Sequence, residues 1–501
     1  MKNKVSAFLV TVILVGTLVI AFDARPVEAS GTICVRADGS IDPPTAPIST
    51  ADNVTYVFTA DINNQSISVQ RNNTTIDGRG HTLQGSHVNF SFGINLSNVT
   101  NVTVENTRID AFWYGIFLDS GSNHKISGNN ITNNADAIFL QSTTNDSISE
   151  NNITDNNGWG VVFFDSHDET LFRNNITNNH NGGVALGPSS NDDISENNIA
   201  NNTGDGIMLY GIFNHTTFKS STTGNTITRN NIKNNKARGI KLISSTHNTI
   251  SRNNIIENQL AIEANYSSYN MIYNNNFVSN AQQVLCKNSW NTWDCGYPSG
   301  GNYWSEYAGI DYNQGSGQNI SGSDGIGDSG YRVDRDPKTP PELLQFDKYP
   351  LMGPISDFDA TLEHHVQIIS NSTISDFQFN GTAVSFNVSE EDGTIGFCRM
   401  CIPTAMMNAT YRVFVNSTEV AYTLLLCSDA DFSYLYFNYT HSTQEVIVIP
   451  EFSSFLILPL FMIAALAAII ALRKGRKTKN WLEKTDRIVF YCGCSIFLIS
   501  L

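Results

Sequence analysis

The chain has 501 residues, a net charge of −16 and only 15% charged residues. That length allows several domains and a sizeable core, while the acidic balance offers no basic face for a nucleic-acid partner. An acidic chain rich in Asn and Gly suits an exposed surface protein instead. Residues 1–29 read as a secretory signal: Lys2 and Lys4 start it, 5–22 is apolar, and Val27-Glu28-Ala29 forms the cleavage site. The apolar run is also long enough to stay as an uncleaved anchor. Residues 30–64 are expected to form an N-terminal cap of short strands.

From residue 65 the chain repeats itself. Asn-Asn-Ile (once Asn-Asn-Phe) recurs with its second Asn at Asn130, Asn152, Asn175, Asn198, Asn231, Asn254 and Asn276, at intervals of 22, 23, 23, 33, 23 and 22 residues. The long step carries an insertion, GIFNHTTFKSS, at 211–221. Asn73 and Asn106 mark weaker copies upstream. Each unit holds three short apolar pieces, such as SIS, NIT and GVVFF, which are too short for helices and are spaced as strands. Asn and Gly separate them, where tight or left-handed turns need such residues. Three short strands per coil predict a parallel β-solenoid over 65–295, its coils about 4.8 Å apart. Asn side chains would stack as ladders at the bends and satisfy polar groups there. Leucine-rich repeats have a similar period, but their Leu-x-x-Leu-x-Leu consensus is absent.

A Gly-, Tyr- and Asp-rich segment at 296–353 is expected to cap the far end, because exposed terminal strands invite edge pairing. It contains Asn302-Tyr303-Trp304-Ser305, Asp324-Gly325-Ile326-Gly327-Asp328 and Asp347-Lys348-Tyr349-Pro350-Leu351. Together with the repeats and NNTTIDGRGHTLQG at 72–85, these motifs resemble the NosD-like family of right-handed parallel β-helix proteins. That family is also described as carbohydrate-binding and sugar-hydrolase β-helices, and the resemblance covers about 65–352. It implies an all-β, pectin-lyase-like solenoid, a scaffold that hosts more than one reaction. It also implies a link to copper-site maturation. Copper favours clustered His, Met and Cys, whereas the ten His here are scattered, with only His364 and His365 adjacent, and Met406-Met407 stand apart.

Over 356–449 the repeat gives way to alternating runs, HVQIIS, AVSFNV, TIGFCRMCI, YRVFVN, AYTLLL, LYFNY and EVIVI, which predict a small β-sandwich serving as a stalk. This part resembles accessory domains of archaeal surface proteins. Residues 454–472 are apolar and about long enough to cross a bilayer, and the basic residues Arg473, Lys474, Arg476, Lys477 and Lys479 would keep the other end outside. Pro450-Glu451-Phe452 with that helix resembles an archaeal sorting signal, although the tail to 501 runs on past it. The last apolar stretch, at 488–501, would reach roughly 21 Å as a helix, short of the roughly 30 Å hydrocarbon core.

Four constellations could carry chemistry. Asp165-Ser166-His167-Asp168 resembles the Asp-Pro-His segment of β-helix alginate epimerases and lyases, where an Asp and a His work on the C5 proton of a uronate. Asp165, His167 and Asp168 are therefore the catalytic candidates, weighed against an exposed polar turn, and Arg173 is the only basic residue near in sequence. Asp192-Asp193 and Arg238-Gly-Ile-Lys241 echo a pectin-hydrolase pattern whose other pieces are missing. Asp311, Asn313, Asp324 and Asp328 offer hard oxygens between glycines, as a calcium loop would, or else a Gly-Asp turn network. Trp113, Tyr114, Trp159 and Tyr210 are the candidate sugar-stacking rings, with Trp290, Trp293, Tyr303 and Trp304 divided between that role and the caps. In an extracytoplasmic compartment Cys286 and Cys295 are the expected disulfide; Cys398-x-x-Cys401 is a metal or redox pair, or one of the two pairs with Cys427. Asn-x-Ser/Thr sequons are frequent, and those outside the coils are the expected glycan sites.

The sequence reading is thus a secreted, membrane-anchored β-helix that binds polysaccharide or a surface glycan without catalysis, with calcium as its only suggested cofactor. A polysaccharide lyase, epimerase or hydrolase, a structural adhesion protein and a copper-site accessory are the alternatives.

Overall fold

A computed structural model describes residues 31–214, 217–220, 222–334, 344–407 and 410–451. The signal at 1–29, the apolar run at 454–472 and the tail at 473–501 lie outside the described residues. Among the described residues every regular element is a strand, and no helix is long and apolar enough to cross a membrane.

Each repeat unit makes three strands, one in each of three long sheets of 12, 11 and 11 strands. One coil illustrates the rule. Trp159–Phe164 lies in sheet 1, Thr170–Phe172 in sheet 2 and Asn175–Thr177 in sheet 3. Each pairs in parallel with the same position one coil on, so Asn152, Asn175 and Asn198 align, as do Ile153, Ile176 and Ile199. The apolar phase explains the inside. The central residue of every short strand, such as Ile148, Leu171 and Ile194 or Ile153, Ile176 and Ile199, is fully buried. Sheet 1 adds two per coil, such as Val161 with Phe163 and Ile207 with Leu209. Gly160, Gly183, Gly206 and Gly239 stand where sheet 1 approaches its corner. A Cβ on Gly160 would lie 2.7 Å from the Gly183 carbonyl and 2.6 Å from Ile176, so the stacking itself selects glycine there.

Three buried ladders hold the corners. Between sheets 2 and 3 run Asn129, Asn151, Asn174, Asn197, Asn230, Asn253, Asn275 and Asn302; in each step a backbone N–H and a side-chain Nδ2 donate to the next Oδ1, as from Asn151 to Asn174 at 3.0 Å for both. A second ladder, from Asn134 to Asn280, lines the corner between sheets 3 and 1. The buried rung is the first Asn of each Asn-Asn pair. The second Asn, which carries the sequon at Asn130, Asn152 and Asn175, lies on the outer side of sheet 3 and forms its own surface ladder there, with Asn175 Nδ2 2.7 Å from Asn152 Oδ1. The insertion after Tyr210 is an antiparallel hairpin, Ile212–Asn214 with Thr217–Ser220.

The chain ends of the solenoid are closed differently. Antiparallel strands Ile41–Asp42 and Ile48–Thr50 terminate sheets 1 and 2. At the other end, Trp304 stacks between Phe277 and Tyr331 at 4.2 and 4.4 Å. Asp347 is fully buried beside it and accepts from the Asn302 N–H (2.7 Å), the Trp304 indole N–H (2.9 Å) and the Tyr349 N–H (3.1 Å). The three closing motifs are therefore the parts of one plug.

Residues 355–450 form two five-stranded antiparallel sheets around one core that includes Val366, Phe386, Met400, Val413, Phe437 and Val448. They dock on the last coils. Arg229 reaches Asp357 (3.0 Å), Asp359 (3.0 Å) and His365 (2.7 Å), and Asn276 exchanges two hydrogen bonds with the backbone of Ile355 at 2.8 and 2.9 Å. Arg229→Ala would leave the buried Asp357 carboxylate with Arg252 alone. It is expected to cost about 1–3 kcal/mol of this docking, seen in calorimetry as a separate, earlier unfolding of the sandwich; one unchanged transition would show that Arg229 does not hold the junction.

Candidate functional site

The outward side chains of sheet 1 make a face with two chemistries. Over its first half the rings of Phe92, Trp113, Tyr114, Phe117, Phe139, Trp159, Phe164 and Tyr210 join Val162, Ala185 and Met208 in a cluster separate from the solenoid core. Neighbouring rings are close: Phe92 and Phe117 at 4.6 Å, Tyr114 and Phe139 at 5.0 Å, Phe90 and Trp113 at 5.1 Å. The coil holding Gly182, Ala185 and Gly187 is a shallow step in this face. The Trp159 ring lies over Gly182 and the Tyr210 hydroxyl over Gly187. All four rings singled out from the sequence, Trp113, Tyr114, Trp159 and Tyr210, thus meet on one surface. Tyr114 is buried within it, and the other three are half-buried.

Over the second half the same columns turn charged. Arg238 bonds Glu263 (2.8 Å) and lies 3.6 Å from Asp205; Lys241 pairs with Asp205 at 3.6 Å and Lys287 with Glu263 at 3.5 Å. The carboxylates are buried under cations that stay more exposed. Opposite charges on neighbouring rungs are what a parallel stack needs to hold ionic side chains in file. Arg238 and Lys241 were visible in the sequence only as a fragment of a hydrolase pattern; the structure gives them partners.

Asp136 was missed. It occupies the outer column between Tyr114 and Trp159, where its Oδ1 accepts the Trp159 N–H at 2.7 Å. Burial among the rings raises its carboxyl to about 6, and burial likewise raises the Tyr114 and Tyr210 phenols to about 12. Asp205 performs the same backbone service for Arg238 at 3.2 Å, but with cations at hand. The signal available in the sequence was an acid where the adjacent coils carry aromatic rings.

The Asp165-Ser166-His167-Asp168 segment lies at the corner between sheets 1 and 2. Asp165 and Asp168 hold positive φ (54° and 62°) at exposed turn positions, and Ser166 is buried in the corner. His167 continues a column of bridges from Thr144 to Ser190, its Nδ1 3.0 Å from the Ser190 hydroxyl. Arg173 turns away to Glu196 (2.8 Å), just past the end of sheet 2. Among the described residues no cation joins Asp165 and His167, and both Asp165 and Asp168 occupy exposed turn positions.

Directly behind that turn is the third ladder, which the sequence did not reveal. It runs His124, Asp146, Glu169, Asp192, then Asn225, Asn248, Asn270 and Asn291. Three stacked acids replace amides, each accepting the N–H of the coil before. Burial raises all three carboxyls, Asp192 to about 8, and Asp146 adds its repulsion to Glu169. Burial pushes His124 down to about 4. Among the described residues Asp146 Oδ2 and Asp192 Oδ2 have no hydrogen-bond partner.

The candidate calcium residues form one network in the C-terminal plug. Asp311 accepts the N–H groups of Asp324 and Gly325 (3.0 and 2.8 Å), Asp324 those of Ile326 and Gly315, and Asp328 those of Tyr312 and Asn313 together with the Asn313 amide at 2.8 Å. Their oxygens serve backbone donors, the turn arrangement. Among the described residues no three His, Cys, Asp or Glu side chains converge as a metal site. Cys286 and Cys295 stand as free thiols, one at the end of sheet 1 and one exposed in the following loop. In the strand Ile395–Pro403, Cys398 points into the sandwich core while Cys401, an odd number of residues on, takes the other side. They cannot share a ligand.

Two family models match. The periplasmic copper-binding protein (NosD) family covers residues 175–309, and the right handed beta helix region covers 50–191 and 92–226. No curated protein matches the sequence. Among solved structures, a Dettilon tailspike protein aligns with TM-score 0.39 and 14% identity over 83% of this chain and 84% of its own. A periplasmic alginate epimerase, AlgG, aligns with TM-score 0.37 and 15% identity over 49% and 80%. The A-module of the Azotobacter vinelandii mannuronan C-5 epimerase AlgE4 aligns with 0.34 and 13% over 46% and 66%.

Proposed function

Since the solenoid belongs to the NosD-like family of right-handed parallel β-helix proteins, we propose that this chain binds an extended polysaccharide along the outer face of sheet 1, at the cell surface. The observation that carries this reading is the continuity of that face. Aromatic rings, a glycine step and a row of ion-paired cations follow one another on consecutive coils. A flat, long, amphipathic surface suits a chain of pyranose rings, whose C–H faces pack on aromatics and whose hydroxyls bond to charged groups. The leader at 1–29 would export the protein, the run at 454–472 would anchor it, and the sandwich would hold the solenoid off the membrane.

Affinity electrophoresis of the full-length protein in gels containing alginate, mannan or hydroxyethyl cellulose tests the reading. At least one polymer is expected to retard it, and Tyr210→Ala with Lys241→Ala is expected to weaken that retardation about tenfold. No retardation in any gel, or none lost in the double variant, would contradict it.

Asp136 supports a second reading, in which the same face performs acid–base chemistry on the bound glycan. A carboxyl raised to about 6 can exchange a proton near neutrality. Unsaturated or epimerised product from a polyuronate, lost in Asp136→Asn, would favour it.

A further inference from the structure

The corner between sheets 1 and 2 is built from left-handed turn residues, and in most coils they are small and polar. One column reads Asn98, Ser120, Ser142 and Asp165, then Ser244, Tyr266 and Asn288; the next reads Asn101, Asn123, Asn145, Asp168, Asn191 and Gly224, then His247 and Tyr269, all at positive φ. Gly, Asn and Asp adopt this conformation at little cost, whereas a bulky ring there is uncommon and strained. Yet Tyr266 and Tyr269 hold φ of 51° and 63°. The rings gain little burial in exchange. Tyr269 is 69% exposed, Tyr266 54%, Trp290 49% and Met271 41%. His247 and Tyr269, one coil apart, stack at 5.4 Å and 24°. A sequence that breaks a local rule for so small a gain in packing points to a role outside the fold.

We propose that this corner of the last coils is a second glycan contact, taking the flat face of a hydroxylated sugar ring on Tyr269 and Tyr266; the proposal rests on the polysaccharide reading of sheet 1 above. Three features favour a sugar. The rings form a narrow file along the solenoid edge, too thin for the roughly 1,000 Å² a stable protein interface buries. Apart from Lys287, their near neighbours Thr246, Ser268 and Asn288 offer uncharged hydroxyl and amide. Finally, the file begins where the sheet 1 strands Leu260–Asn265 and Val284–Lys287 end, so one polymer can run from the charged half of the face onto the corner. With a net charge of −16 and, among the described residues, Lys287 as the one cation beside the rings, an anionic lipid surface is a poor occupant.

The test replaces both rings by the residue other coils use, Tyr266→Asn with Tyr269→Asn, and measures retardation of the full-length protein by alginate, mannan and hydroxyethyl cellulose together with the melting temperature. Binding is expected to fall about tenfold while the melting temperature holds or rises, because the backbone strain is relieved. A lost fold would lower both. If the double variant binds as wild type while the Tyr210/Lys241 variant does not, the corner proposal fails and the sheet reading stands. If only the corner variant loses binding, the corner is the site and the sheet reading fails. Wild-type protein retarded by no polymer overturns both.

Discussion

Asp347→Ala is expected to open the C-terminal end of the solenoid, at a cost of about 3–5 kcal/mol. Among the described residues the carboxylate is the acceptor for the Asn302 N–H, the Trp304 indole and the Tyr349 N–H, and each buried donor left without a partner costs about 1–3 kcal/mol. Because Asn302 is also the last rung of the main ladder, with Oδ1 3.0 Å from both the N–H and the Nδ2 of Asn275, the damage passes into the coils. Repeat arrays fray from their ends, so near-ultraviolet dichroism from Trp293 and Trp304 should be lost before the far-ultraviolet strand signal. Gly301→Ala should behave alike, since a Cβ there would fall on the Asp347 carboxylate. Asp347→Asn should recover only part of the loss, because its Nδ2 would face donors. A change below about 1 kcal/mol in Asp347→Ala would mean that the plug is not held through this residue.

Mild acid should stabilise the protein. Burial raises the carboxyls of Asp136, Asp146, Glu169, Asp192, Asp311 and Asp347. Each retains its proton in the folded state at a pH where the unfolded chain, with ordinary carboxyls, has lost it. The folded state then binds more protons, so stability falls as pH rises. The stabilisation is complete below the unfolded values near pH 4 and declines as pH climbs, to about 6 for Asp136, about 7 for Asp311 and Asp347 and about 8 for Asp192. Unfolding free energy at pH 5 should exceed that at pH 8 by at least about 2 kcal/mol, net of His124, whose lowered imidazole opposes the trend below about pH 6.5. Asp192→Asn provides the control. An amide there can do what Asn248 does, donating Nδ2 to carbonyls of its own turn and of the coil before, at 3.2 Å in both cases. It should raise stability at pH 8 by about 1–3 kcal/mol and flatten the pH profile. A profile that rises from pH 5 to pH 8, or a destabilised Asp192→Asn, would contradict the buried acid ladder.

The solenoid was legible because its rule is repeated. One inward apolar residue per short strand and an Asn at each bend recur often enough that phase alone fixes the register. Which Asn is buried was not legible: Asn174 and Asn175 are chemically identical, and only the corner's geometry turns the first inward and the second outward. The acid ladder hid for the opposite reason. Asp146, Glu169 and Asp192 look like surface residues until the coils are stacked and all three fall in the column of Asn225 and Asn248. In the sandwich, each of the seven alternating runs contains a strand, while Ile355–Asp359, Thr373–Phe379 and Thr418–Val420 escaped because they are polar or exposed and pattern weakly. The rings Trp113, Tyr114, Trp159 and Tyr210 could be selected by type but not by neighbourhood; Asp136 stands out only once the repeats are aligned and Tyr114 and Trp159 fall on either side of it.

Hydroxyl-radical footprinting of the full-length protein, with and without a polysaccharide that retards it, tests the functional reading most directly. The binding face predicts protection at Trp159 and Tyr210 on the outer side of sheet 1 and at Tyr266 and Tyr269 on its corner, with Phe346 and Leu426, exposed elsewhere, unchanged. Protection confined to the plug or the sandwich, with those four rings reacting as before, would show that the glycan does not lie on sheet 1.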